Sequence, residues 1–237
     1  AYVFESTDHA AALFGLQQFG NIYTRIMNPT QAVLEERVAA LEGGTAALAT
    51  SSGHAAQLLI FHTIMKPGDN FIAARRLYGG SINQFNHAYK KFNCNVVWAD
   101  TADLSSFEKA ITPKTRMIFL TNPNNPTGRL IPEEDLRALA ALADRHGIWL
   151  VGDEVYAGLE WAGPRPPSIA GMTPFGVTTG SVSKALGLQG LRTGWMICQT
   201  PQVIRDAMIL RENSSEIMNV LGEHIAEIAL RPDRLAT

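Results

Sequence analysis

Residues 116–153 read RMIFLTNPNNPTGRLIPEEDLRALAALADRHGIWLVGD, and the change of period along them decides the fold class. Arg116 to Thr121 is a short apolar run, the mark of a buried strand, and it ends in the turn-rich segment Asn122 to Gly128. Pro132 then opens a helix with Glu133, Glu134 and Asp135 in its first turn, where carboxylates meet the positive end of the dipole. Leu136, Leu139, Ala140 and Ala143 form its buried face. Ile148 to Val151 is a second apolar strand, leading into Gly152-Asp153-Glu154.

The same alternation extends in both directions from residue 30 onward. Thr30 to Glu42 reads as a helix, because Leu34, Val38 and Leu41 share a face and Gly43-Gly44 supplies a stop. Further helices are expected at Gly53 to Met65, Ser81 to Phe92 and Leu104 to Ile111, and two more between Pro201 and Leu230. Strands are expected at Ala46 to Thr50, Asn70 to Ala74, Asn95 to Ala99, Val177 to Gly180 and Thr193 to Cys198. The pattern predicts a three-layer α/β domain over residues 30–237, with a mostly parallel sheet covered by helices on both faces. Residues 1–29 fit it poorly and read as an N-terminal arm outside the sheet.

Composition narrows the partners. The 237 residues are 46% hydrophobic and 18% charged, and the net charge of −2 gives no electrostatic case for nucleic acid or an anionic membrane. A small molecule is the expected partner. Cys94 and Cys198 stand alone, without the spacing of a zinc site or a disulfide framework, which points to a reducing compartment. The first residues lack a basic segment and apolar run, and no uncharged stretch is long enough to span a bilayer. A cytoplasmic location is the expectation.

Ligands of open α/β sheets sit at the carboxyl ends of the strands, so polar residues just after predicted strands matter most. Four places qualify: Ser51-Ser52-Gly53-His54, the Asn122 to Gly128 segment, Asp153 with Tyr156, and Ser181-Val182-Ser183-Lys184. Of six lysines, five sit on turns or polar helix faces, whereas Lys184 follows a strand among serines and glycines. A lysine held and partly desolvated there can become an imine-forming nucleophile; alone, it would be read as a solvated loop residue. Ser52, Gly53 and His54 open a helix directly after a strand, aiming free amides at an anion, although a plain helix cap uses the same geometry. His54 is expected to act through its backbone.

In order, a Gly-containing turn, Asn125-Pro-Thr-Gly128, Asp153-x-x-Tyr156, Ser181-x-x-Lys184 and Arg192 resemble the class I and II aminotransferases. That resemblance implies pyridoxal phosphate (PLP) on the aspartate aminotransferase fold, with Lys184 as Schiff-base lysine and proton shuttle. Asp153 would hold the ring nitrogen, Asn125 and Tyr156 the ring hydroxyl, and Ser181 and Arg192 the phosphate, with Ser183 a further cofactor contact. Residues 1 to about 120 resemble a different family. Asn21-Ile-Tyr23-Thr-Arg25-Ile-Met-Asn28-Pro29-Thr30, Ser51-Ser52-Gly53 and Tyr78-Gly79-Gly80 are similar to O-acetylhomoserine sulfhydrylases and their transsulfuration relatives. This implies that Tyr78 stacks on the cofactor and that Tyr23 and Arg25 reach a partner's site in a homodimer.

Two resemblances meeting near residue 121 suggest an engineered chimera, with a natural divergent protein as the alternative. Both families continue into a smaller C-terminal domain that grips the substrate carboxylate; Arg231 and Arg234 match no such motif, and both ends read as truncated. The expected function is therefore a PLP-binding domain with aminotransferase-type chemistry on amino acids. The alternatives are gamma-replacement on an acylated homoserine, and a scaffold that binds PLP without useful turnover.

Overall fold

The computed structural model describes residues 2–15, 17–18, 20–161, 163–215 and 218–235. Residues 1, 16 and 19 of the expected arm, and 216–217 and 236–237 of the closing segment, lie outside these. Among the described residues seven strands form one sheet: β1 (Ala46–Thr50), β2 (Asn70–Ala74), β3 (Asn95–Ala99), β4 (Thr115–Thr121), β5 (Trp149–Asp153), β6 (Gly176–Ser181) and β7 (Gly194–Cys198). Their order is β1-β7-β6-β5-β4-β2-β3. All pairings are parallel except those of β7, which runs antiparallel to both β1 and β6. Each expected strand is present to within a residue or two. The reversal of β7 was not expected, because an apolar run carries no direction.

The helices are α1 (Thr7–Phe14), α2 (Pro29–Glu42), α3 (Gly53–Ile64), α4 (Gly79–Asn83), α5 (Ser105–Ala110), α6 (Glu133–His146), α7 (Pro201–Glu212), α8 (Val220–Ala229) and α9 (Pro232–Leu235). Asn28 caps α2 through its side chain, Pro29 occupies the first turn, and Gly43 ends the helix at φ +69°. Pro132 is the cap of α6 and not its first helical residue. The single helix expected from Ser81 to Phe92 begins earlier, at Gly79, and widens into a π-helical stretch over Gln84–Tyr89. Phe85 and Tyr89 from that stretch are both buried, and both pack on Phe61, at centroid distances of 5.3 and 4.3 Å. The wide turn serves aromatic packing that sequence period does not encode.

Alternation along the strands sorts the core onto two faces. Met196 and Cys198 of β7, with Leu48 of β1, join a large cluster with α3, α6 and α7. Trp195, Ile197, Ala47 and Ala49 point the other way and pack with α2 and α8. The sheet is thus covered on both sides. β1 is an edge strand, and side chains occupy its free backbone groups: Glu35 Oε1 accepts from the Ala49 amide at 2.8 Å, while buried Arg211 donates to the Ala49 carbonyl at 3.0 Å.

Candidate active site

β4, β5 and β6 run parallel, so their carboxyl ends open on the same edge of the sheet, and α3 starts beside them after β1. A cavity of about 220 Å³ lies there. Its walls include Ser52, Gly53, His54, Tyr78, Asn125, Asp153, Tyr156, Ser181, Ser183, Lys184 and Arg192. Residues from separate loops, far apart in sequence, therefore meet in one place.

The start of α3 is built by close approach. A Cβ on Gly194 would lie 2.6 Å from the Gly53 nitrogen, so only glycine in β7 lets the Ser52–Gly53 turn come so near. The Ser52 hydroxyl accepts from the Ala55 amide at 3.1 Å, and the Ser52 carbonyl takes the Ala56 amide. The Gly53 and His54 amides, the first of the helix, keep no intrahelical acceptor and remain available to an anion. Gly80 likewise makes room for the Tyr78 ring, and His54 meets that ring edge-on at 6.2 Å. Crowding by protein lowers the pKa of His54, favouring neutral imidazole.

The lysine turn is held by its own backbone. The Ser183 amide donates to Ser181 Oγ at 2.9 Å, and that hydroxyl donates to Ser183 Oγ at 2.7 Å. The Gly187 amide bonds the Lys184 carbonyl, with Gly187 at φ +64°, a conformation that favours glycine. Lys184 Nζ lies 5.7 Å from the centre of the Tyr156 ring. Its side chain is exposed at the cavity mouth, in contrast to the partial desolvation expected, because the turn projects beyond the strand end. Across the cavity Asn125 Nδ2 approaches the Tyr156 hydroxyl at 3.4 Å. Burial pushes Asp153 up to about 6, against the hydrogen bond from the Val155 amide. Among the described residues no cation pairs with this carboxylate, and a protonated ring nitrogen would supply one.

Gln57, Val155 and Gln189 also line the cavity and were not expected. Gln57 sits one turn beyond His54 on the same face of α3, a spacing that could have revealed it. Buried, it accepts from Ser81 Oγ at 2.9 Å and donates to Gln84 Oε1 at 2.5 Å. Gln189 arrives only through the fold of its turn, which no local pattern announces. Tyr23 and Arg25 do not line the cavity; they engage each other, with Arg25 Nη2 donating to the Tyr23 hydroxyl and the guanidinium 5.1 Å from the ring centre. Among the described residues no His, Cys, Asp and Glu group could hold a metal, and no helix is long and apolar enough to cross a membrane.

The donor set on one cavity wall suits PLP: open amides, hydroxyls and Arg192 that could take a phosphate, Asp153 that could take a ring nitrogen, and a lysine amine. The family model described as Cys/Met metabolism PLP-dependent enzyme matches residues 1–159. The chain belongs to this family. Its cofactor is pyridoxal phosphate. The match runs past residue 121, so it takes in the Asn122 to Gly128 segment, Asp153 and Tyr156. The aminotransferase likeness expected beyond residue 121, and the chimeric origin drawn from it, gain no support from these comparisons.

Among relatives, the O-acetyl-L-homoserine sulfhydrylase of Leptospira meyeri is 46% identical over 153 residues, 65% of this chain and 34% of that protein. O-acetyl-L-homoserine sulfhydrylase 1 of Thermus thermophilus is 46% identical over 157 residues, 66% of this chain and 37% of that protein. The chain spans about a third of the length of these relatives. The crystal structure of a putative O-acetylhomoserine (thiol)-lyase from Campylobacter jejuni superposes with a TM-score of 0.85 at 26% identity, covering 100% of this chain and 64% of that one. That structure carries an N'-pyridoxyl-lysine-5'-monophosphate.

Proposed function

We propose that this cavity binds PLP and serves gamma-replacement on an acylated homoserine, the chemistry named by the relatives over two thirds of the chain. The observation that carries the reading is the convergence of Lys184, Asp153 and the open start of α3 on one cavity. When bound, PLP supplies an electron sink for the substrate carbon. The Gly53 and His54 amides, Ser181, Ser183 and Arg192 hold its phosphate, and Asp153 holds the ring nitrogen protonated. Asn125 and Tyr156 would hold the ring through its hydroxyl, and Tyr78 would stack on it. Lys184 would attach the cofactor through its Nζ amine and move protons at the substrate carbon. Tyr23 and Arg25, which do not line their own cavity, reach the partner's phosphate in a homodimer.

A second reading rests on sequence resemblance alone. Ser181, Ser183, Lys184 and Arg192 lie beyond the matched residues 1–159, and their spacing is the aminotransferase-like part of the sequence. Product analysis separates the readings: O-acetylhomoserine with sulfide should yield the thiol amino acid, whereas glutamate with a keto acid should yield nothing. The reverse result would establish transamination. Turnover in neither assay, with PLP bound, would leave the protein as a binding scaffold. Borohydride reduction of the PLP-loaded protein should place the pyridoxyl group on Lys184, and Lys184→Ala should lose the visible absorbance. Label on another lysine would end the assignment.

A further inference from the structure

A buried charge cluster drawn from α2, α7 and α8 lies at the free edge of β1. Arg211, in the last turn of α7, is 1% exposed and gives Nη1 to Glu35 Oε1 of α2 at 3.1 Å and to the Ala49 carbonyl at 3.0 Å. Glu223 of α8 is 0% exposed, and among the described residues neither of its carboxyl oxygens has a hydrogen-bond partner. Among the described residues, the other neighbouring cations have partners elsewhere. Arg37 of α2 and Arg231 both bind Glu227, at 2.9 and 3.0 Å. Asp233 and Arg234 of α9 pair at 3.7 Å, and Arg192 of the neighbouring turn donates to the Gln189 carbonyl. His224, next to Glu223, is exposed. Glu35 faces Glu223 with a like charge, and the pull of Arg211 is shared with it.

The same helix supports the cavity wall. α8 packs on the turn Gln189–Leu191 as well as on α2. A Cβ on Gly222 would lie 2.7 Å from the Leu191 carbonyl oxygen, so the two backbones touch. Asn219, which caps α8 by accepting from the Gly222 amide at 3.0 Å, also donates to Leu191 O at 3.5 Å. Arg192 follows at φ +53°, a left-handed conformation that costs a non-glycine residue and persists only when its surroundings hold it. Gln189 and Arg192 are cavity residues.

We infer that α8 is a latch for this wall, with Glu223 as its positioning residue: docking of α8 requires the neutral acid, and docked α8 holds Gln189 and Arg192 in place. Burial first, and then Glu35, push Glu223 up to about 7, against the pull of Arg211. The sign follows from linkage. Docked, the group titrates near 7; released, it returns to the ordinary 4.5, so docking weakens as pH rises between those values and stays weak above them. Between pH 6 and pH 8 the docking equilibrium should fall about tenfold.

Hydrogen exchange on the full chain tests this. Protection in residues 220–229 and 189–193, corrected for intrinsic rates, should fall together by about tenfold from pH 6 to pH 8, and Glu223→Gln should abolish the fall. Glu223→Met, neutral and of similar size, guards against a glutamine that fails to fold. Equal pH dependence in wild type and both variants, or loosening of 220–229 without 189–193, would overturn the inference. A second arm rests on the proposed PLP site: the wild-type to Glu223→Gln ratio of PLP affinities should drop from pH 6 to pH 8. Identical pH dependence in the two proteins would sink the latch, whereas failure of both to bind PLP at any pH would sink the proposed site instead.

Discussion

Replacing Gly194 with alanine asks whether the start of α3 is held where it is by close packing. The new methyl carbon would lie 2.6 Å from the Gly53 nitrogen and 2.9 Å from the Ser52 Cα, and closer still to the Ser52 carbonyl carbon. Those are backbone atoms, which cannot swing aside as a side-chain tip would. Restoring ordinary contact at 3.4 Å moves the turn by at least about 0.8 Å. Overpacking of this kind costs about 1–3 kcal/mol. For a chain of this length that corresponds to a fall in Tm of about 2–12 °C. PLP affinity should fall along with stability, because the displaced amides are those offered to the phosphate. The assay is an absorbance titration with PLP beside a thermal melt. Gly190→Ala is the control, since a Cβ there meets nothing within 4 Å. If Gly194→Ala bound PLP with wild-type affinity and melted within 1 °C or so of it, the claim that this approach positions the anion site would be wrong.

Asp153→Asn should stabilise the cofactor-free protein above about pH 6 by roughly 1–3 kcal/mol while weakening PLP binding, and urea melts at pH 5 and pH 8 would show it. The sign follows from the raised pKa: the native carboxyl binds its proton more tightly than the unfolded one, so its contribution is lost as pH rises from the unfolded value through 6. Equal stability of the two proteins at both pH values would contradict the burial argument. Arg211→Met should destabilise by about 3–5 kcal/mol, because it leaves Glu35 without its cation and Ala49 without a donor on the sheet edge. The double change Glu35→Leu with Arg211→Met should recover part of that loss in chemical denaturation; an additive result would mean the two groups do not act as a pair.

Much of the candidate site could be read from residue order, for a physical reason. In a parallel α/β sheet the carboxyl ends of the strands form the edge where loops converge on a ligand, so polar residues that follow strands are candidates from the order of elements alone. Asp153, Asn125 and Lys184 were legible in this way. Gln189 was not, because its approach depends on the turn closed by the Leu188 amide on the Val182 carbonyl. The buried cluster of Glu35, Arg211 and Glu223 was equally hidden. In one dimension these are three ordinary charges on three amphipathic helices, and only docking removes their water.

The alternation of periods along the chain determined by itself that strands and helices would layer, roughly where each begins and ends, and which residues stand at strand ends. Period reports which side of an element is apolar, a local property of the chain. Only the tertiary structure decided that β7 runs against its neighbours between β1 and β6, that α8 props the turn bearing Arg192, and that Tyr23 and Arg25 stay out of their own cavity. Those outcomes depend on contacts between residues far apart in sequence, where the free energy lies in shared packing and lost solvation and leaves no periodic trace in either segment alone.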